Sequence, residues 1–235
     1  MADQEQNGRP SLRQKLAESK ARRAEKRAFE AKMRSEGRLP PGQRITQNFP
    51  VNHLGRVPDV DLDSWTFKIV GAVKNQVQLT WAEFQELPRT SITFDIHCVS
   101  QWSKFDMSWE GVSIRTLIDT GLAEPLDTAT HLIQLAEDGH RTNLPLEIAL
   151  QENFVMATHL NGEVLELKHG YPLRGVTGHI PGRRDLQDVY LYKGAKWLRG
   201  VKFATSDEPG TWERAAYHNE GDIWREERSG IRIGK

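Results

Sequence analysis

Phe94-Asp95-Ile96-His97-Cys98-Val99-Ser100-Gln101-Trp102-Ser103 passes from strand to loop within a few residues. Upstream of it, Thr90 to Val99 places Ile92, Phe94, Ile96 and Cys98 on one face of an extended chain, because side chains alternate with a period of two. Polar residues and a tryptophan follow at once. The cysteine therefore stands where a strand ends and a loop begins, the position from which scaffolds present reactive groups. His97 precedes it and points to the opposite face, so the two side chains cannot readily clamp one ion. A buried cysteine on an apolar face is by default inert core, and the loop that follows weakens that default.

Outward from this stretch the chain reads as short β-rich runs. Trp65–Val70 alternates, Gly71 punctuates it, and Val77–Thr80 follows. Trp81–Leu87 predicts a short helix ended by Pro88, and Ile114–Thr120 another. Strands are predicted at His131–Ala136, Phe154–Leu160 and Val164–Leu167, with a short helix over Pro145–Gln151 and a turn at Asn161-Gly162. After Phe203 the sequence is polar and Trp-bearing, with no clear period. Strand runs with short helices between them, and no regular βαβ alternation, predict an α+β domain.

The N-terminal part differs. Residues 11–36 are rich in helix formers, with Ser11 as a cap and Gly37 beyond the end. Eleven basic residues against six acidic ones in residues 1–38 give that arm a charge of +5, so the remainder carries −5 and the whole chain zero. Its apolar positions are mostly alanine, which favours a solvated basic helix, with docking to nucleic acid or a partner as the other use. Leu39-Pro40-Pro41-Gly42 breaks the helix. The predicted organisation is thus residues 1–38 as a basic helical or disordered arm and 39–235 as one domain. Hydrophobic residues make up 37% of the 235 and glycines number 19, enough for an ordinary core.

A single cysteine excludes a disulfide framework, a zinc ribbon and a CxxC pair, and points to the cytoplasm. Arg22-Arg23 is followed by charged residues where an export signal needs an apolar run, and no stretch is long enough to span a membrane. P-loop, HExxH, GxSxG and GxGxxG patterns are absent. The eight histidines have no metal-ligand spacing on a helix. A lone thiolate can act as a nucleophile beside a histidine, or as a soft ligand to a metal whose other ligands come from a cofactor.

The segment Phe94–Ser103, with Trp109-Glu110-Gly111-Val112 after it, resembles the molybdenum-cysteine segment of the sulfite oxidase family. The likeness is greatest to the branch of the protein-methionine-sulfoxide reductase subunit and its small cytoplasmic relatives. Phe49-Pro50-Val51-Asn52-His53-Leu54-Gly55-Arg56-Val57-Pro58, then Trp65–Gly71, is similar to the family's opening, pterin-touching segment. His169-Gly170-Tyr171-Pro172-Leu173-Arg174 and Tyr192-Lys193-Gly194-Ala195-Lys196-Trp197 resemble its two later cofactor stretches. The resemblance runs over residues 39 to 225.

It implies the mixed α+β molybdopterin-binding fold of that family and a mononuclear molybdenum on one molybdopterin, tethered by Cys98. It further implies cofactor contacts from Phe49, Asn52, His53, Asp138 and His169, and from Arg174, Leu191, Tyr192, Lys193 and Lys196. Arg174 offers a planar fork to a phosphate, while Lys193 and Lys196 offer point charges. Trp102, Trp109 and Tyr192 are expected as pocket walls. Glu137–Thr142 falls where the family places a loop near the metal, and a plain turn reads equally well there.

The implied activity is oxygen-atom transfer coupled to two-electron redox at sulfur, either S-oxide reduction or sulfite-like oxidation. The implied partners are a small-molecule or methionine-sulfoxide-like substrate and an electron donor or acceptor. Two positions depart from the pattern. Sulfite oxidases carry an arginine where Val51 stands, and the methionine-sulfoxide branch an acidic residue at Ser100. The competing readings are a non-catalytic cofactor- or nucleic-acid/partner-binding protein acting through the basic arm, and a cysteine hydrolase using Cys98 with a histidine.

Overall fold

The computed structural model describes residues 11–53 and 55–229. Residues 1–10 of the arm, Leu54 of the opening segment and residues 230–235 of the predicted domain lie outside them. The predicted helix is present as α1 (Leu12–Ser35). Ser11 caps it, accepting from the Gln14 amide while Gln14 Oε1 accepts from the Ser11 amide, so two otherwise orphaned donors are satisfied reciprocally. Only Met33 of this helix is buried. Its last turns dock: Glu30 Oε1 accepts from the Ile45 amide, Arg34 donates to the Pro40 and Gln43 carbonyls, and Arg38 beyond the helix pairs with Asp95.

Two sheets form the body of the chain. The first holds β1 (Arg44–Ile45), β4 (Thr90–His97), β5 (Trp102–Val112), β8 (Phe154–Leu160), β9 (Glu163–Val164) and β10 (Arg174–Thr177). In it β5 pairs antiparallel with both β4 and β8, β10 and β9 pair antiparallel with β8, and β1 lies parallel to β5. The second sheet runs in the order β3 (Val77–Thr80), β2 (Thr66–Gly71), β11 (Leu198–Ala204), β6 (His131–Ala136), β7 (Arg141–Pro145). Its centre is the parallel pair β2 and β11, drawn from distant parts of the chain. Short helices α2 (Trp81–Gln85), α3 (Ile114–Asp119), α4 (Leu146–Ala149) and α5 (Thr211–Arg214) fill the connections. The α+β class is borne out.

The alternation that predicted β2 buries Phe67 and Ile69, which pack with Trp65, Phe84 and Phe203. Each such side chain contributes about 1.5–3 kcal/mol of burial. Gly71, at φ +90°, crosses under Phe203: a Cβ there would stand 2.2 Å from the Phe203 carbonyl oxygen, so only glycine fits.

Several segments depart from the sequence expectation. β5 is the longest of the described strands, yet its lysine, aspartate, serines and glutamate gave no strand signal, and Asp106 sits at φ +53° in a bulge of β5 itself, where Phe105 and Asp106 oppose the single Asp95 of β4. Glu137–His140 is a turn, but Arg141 and Thr142 already belong to β7. The strand expected over Val164–Leu167 is cut to β9, because Leu167–His169 coils into a 3-10 turn. β10 begins at Arg174, the last residue of one stretch read for its cofactor likeness, and β11 directly after Trp197, the last of the other; both went unread because glycine and charged residues mask the period of two.

Candidate functional site

Cys98 follows β4 directly. Its amide donates to the Trp102 carbonyl at 2.9 Å, and its own carbonyl accepts from the Gln101 amide at 3.0 Å. The loop closes through Gln101 at φ +72°, a left-handed conformation that lets the chain reverse into β5. The thiol is buried and lies 3.1 Å from Ser100 Oγ. Burial pushes its pKa up, opposed by the Ser100 contact. His97 points away, as alternation requires, with its Nδ1 2.8 Å from Ser103 Oγ.

The thiol opens into a cavity of about 370 Å³. Of the predicted site residues, Phe49, Asn52, His53, Cys98 and Asp138 line it, as do His169, Arg174, Leu191, Tyr192 and Lys196. Segments far apart in sequence thus converge. Asn52 and His53 stand exposed at the rim, and His53 meets Trp197 edge to face. Phe49 lies parallel to His169 at 4.1 Å between ring centres. His169 ends its 3-10 turn before Gly170, whose φ of +113° a side chain would strain and whose Cβ would stand 3.0 Å from Arg174. Burial, then the Arg174 charge, lowers the His169 pKa to about 4, so the ring is neutral at pH 7.

Arg174 is the strongest electrostatic feature. It is 3% exposed, donates Nη1 to the His169 carbonyl at 2.9 Å, and leaves Nε without a hydrogen-bond partner among the described residues. Its plane faces the Trp109 and Phe49 rings, at 5.5 and 5.9 Å. Burial lowers its pKa to about 10, and among the described residues no carboxylate offsets that effect. A buried cation without a counter-charge costs several kcal/mol, a cost that an anionic ligand in the cavity would offset. Lys196 lies beside it, its Nζ 4.7 Å over Trp197 and its pKa brought down to about 8 by burial and then by Arg174. Cation, unpartnered donor, flat rings and a soft sulfur form a donor set suited to a phosphate-bearing heterocycle with a thiophilic metal.

Two expected residues stand elsewhere. Lys193 does not line the cavity: its Nζ donates to Glu213 Oε1 at 2.6 Å and to Asn143 Oδ1 and the Asn219 carbonyl at 2.7 Å. An adjacent position on a chain turning from 3-10 to extended is enough to aim it into the core, so it cannot reach a phosphate. Trp109 is fully buried behind Arg174 rather than forming a wall. Val51 and Trp102 do line the cavity. His140, in the Glu137–Thr142 loop, lines it as well, and the unforeseen wall residues are Trp212 and Tyr217. Trp212 and Tyr217 stack at 5.1 Å, and Tyr192 meets Tyr217 edge to face. Their signal was the clustering of aromatic residues in an otherwise polar tail. Among the described residues no group of three or more His, Cys, Asp and Glu side chains could hold a metal by itself.

Residues 53–212 match the family model described as an oxidoreductase molybdopterin binding domain. Over 193 residues the chain is 40% identical to the uncharacterized oxidoreductase YuiH of Bacillus subtilis, covering 82% of this chain and 92% of that protein. It is 24% identical to human mitochondrial sulfite oxidase over 76% of this chain, but spans only 37% of that enzyme. It is 27% identical to the catalytic subunit MsrP of a protein-methionine-sulfoxide reductase from Gluconobacter oxydans, over 65% of this chain and 51% of MsrP. Among solved structures, the sulfane dehydrogenase SoxCD of Paracoccus pantotrophus shares the fold, with a TM-score of 0.58 at 18% identity, over 71% of this chain and 44% of that one.

Proposed function

The chain belongs to the molybdopterin-binding oxidoreductases of the sulfite oxidase type, and from that premise we propose that it transfers an oxygen atom to or from sulfur, with two-electron redox, at a molybdenum held by Cys98. It is an enzyme whose cofactor is molybdenum on molybdopterin. Bound in the cavity, that cofactor supplies a two-electron couple and an exchangeable oxygen.

The chain's own residues do the rest. Arg174, with Lys196 beside it, would hold the phosphate; Phe49 and His169 would flank the ring system; Asn52 and His53 would close its edge. Cys98 acts as a tether, not a nucleophile. Trp102, Tyr192, Trp212 and Tyr217 exclude water and shape the space beside the thiol. With Val51 rather than a cation at the rim, the cavity favours an uncharged sulfur substrate over a dianion, so we read the reaction as S-oxide reduction before sulfite-like oxidation. An electron donor or acceptor is required.

The observation that carries the reading is the juxtaposition of Cys98 with the buried, unpaired Arg174 across one cavity. We read residues 39–235 as the catalytic unit and its compartment as the cytoplasm, on the strength of the lone cysteine; among the described residues no helix is long and apolar enough to cross a membrane. The test is metal and pterin analysis of purified protein with turnover on S-oxides and sulfite using a redox dye. Stoichiometric molybdenum, and its loss with activity in Cys98→Ser while the fold persists, is expected. Full turnover by Cys98→Ser would overturn the proposal.

A further inference from the structure

The loop that presents Cys98 is held from both ends of the chain. Gln43, which precedes β1 and is fully buried, donates Nε2 to the Cys98 carbonyl at 3.0 Å and accepts from Ser103 Oγ at 3.3 Å through its Oε1. One side chain thereby bridges the first residue after β4 and the second residue of β5. Arg228, in the C-terminal tail, donates Nη1 to the Val99 carbonyl at 2.9 Å and Nη2 to the Pro41 carbonyl at 3.1 Å. Its guanidinium lies 4.9 Å from the Tyr190 ring centre, which fixes its plane. Neither residue lines the Cys98 cavity, and both lie outside residues 53–212. They act on consecutive carbonyls, those of Cys98 and Val99, from opposite sides in sequence.

The geometry points to Gln43 and Arg228 as positioning residues that fix the direction of the Cys98 sulfur by gripping the carbonyls of Cys98 and Val99. The physical need is specific. The loop has a left-handed residue at Gln101, and the closing hydrogen bond from the Gln101 amide already uses one lone pair of the Cys98 carbonyl. Gln43 takes the second, so the peptide plane after Cys98 cannot rotate without breaking two bonds. A metal thiolate needs that constraint, since rotation about the backbone swings the sulfur and changes its overlap with the metal. The Pro40-Pro41-Gly42 break is then part of the device: it turns the chain after α1 so that Gln43 enters the core and the Pro41 carbonyl meets Arg228.

This rests on the reading of Cys98 as a metal thiolate, but it can be tested without the metal because Cys98 is the sole cysteine. The full chain, free of cofactor, is alkylated with iodoacetamide in the wild type, in Gln43→Met and Arg228→Met, and in Leu79→Ala, a core control in the other sheet. Both clamp variants are expected to react at least about fivefold faster, the factor one lost hydrogen bond is worth, with the control unchanged. In protein loaded with cofactor, the Mo(V) electron paramagnetic resonance g values of Arg228→Met are expected to shift, a signature that loosening elsewhere would not produce. Unchanged rates, equal acceleration in Leu79→Ala, or unchanged g values would overturn the inference. Should Gln43→Met fail to fold by circular dichroism, Arg228→Met decides alone. A wild-type chain that takes up no molybdenum would defeat the proposed function while leaving the alkylation result readable.

Discussion

Arg174 and Lys193 are both buried cations, in opposite circumstances: Arg174 lines the cavity and Lys193 does not. Lys193 is matched: a carboxylate, an amide oxygen and a carbonyl take its three protons. Arg174 has one carbonyl, two ring faces and an idle Nε. A protein that satisfies one buried charge completely leaves another open only where something outside the chain completes it. The matched cation is a structural element, and the open one is half of a binding site.

The sharpest way to break that contrast is to remove each charge in turn. Lys193→Met strands Glu213, itself buried, and is expected to cost about 3–5 kcal/mol in denaturant unfolding of the cofactor-free protein. The double variant Lys193→Met with Glu213→Leu should recover most of that loss. Arg174→Met should leave the cofactor-free protein as stable or raise its melting temperature, while molybdopterin retention falls about 10- to 100-fold, the worth of a charged hydrogen bond. A destabilised Arg174→Met that keeps its cofactor would invert the comparison.

Lys196 sharpens it further. With a folded pKa near 8, below the ordinary lysine value of 10.5, the unfolded chain binds more protons between those limits. Cofactor-free stability should therefore rise with pH from about 8 to 10.5, whereas phosphate affinity should fall as Lys196 loses its proton above about 8. Lys196→Met should flatten both slopes. The smallest effect belongs to His169. Its depressed folded pKa, about 4 against 6.5, means stability falls as pH drops through that window. His97, lowered to about 3 by burial, acts in the same sense, so His169→Gln should reduce the slope of melting temperature against pH without abolishing it.

The same contrast explains what could be read from the sequence. Cys98 was legible because its place at the end of a strand follows from alternation, whereas Arg174 was reached through the likeness of its glycine-flanked segment to the family's cofactor stretch. Lys193 was not, since an interior ion pair with Glu213, twenty residues away, leaves no local trace. β5 escaped because its polar residues are spent on partners: Asp106 pairs with Arg38, and Ser103 with Gln43 and His97. Trp212 and Tyr217 could be noticed as aromatic residues in a polar tail, but not placed, because no periodicity ties that tail to the cavity. The end of α1 read as a boundary from its prolines, whereas Glu30, Arg34 and Arg38 fasten it to the sheet-bearing part of the chain through long-range contacts.

The parallel pairing of β2 with β11 joins Lys68 to Gly200, and the cavity takes its walls from Phe49 through Tyr217. On a ribosome, which releases the chain from its N-terminus, the cavity cannot be complete until Tyr217 has emerged. The full set of walls is therefore a late product of synthesis, because Trp212 and Tyr217 are made long after Phe49 and Cys98.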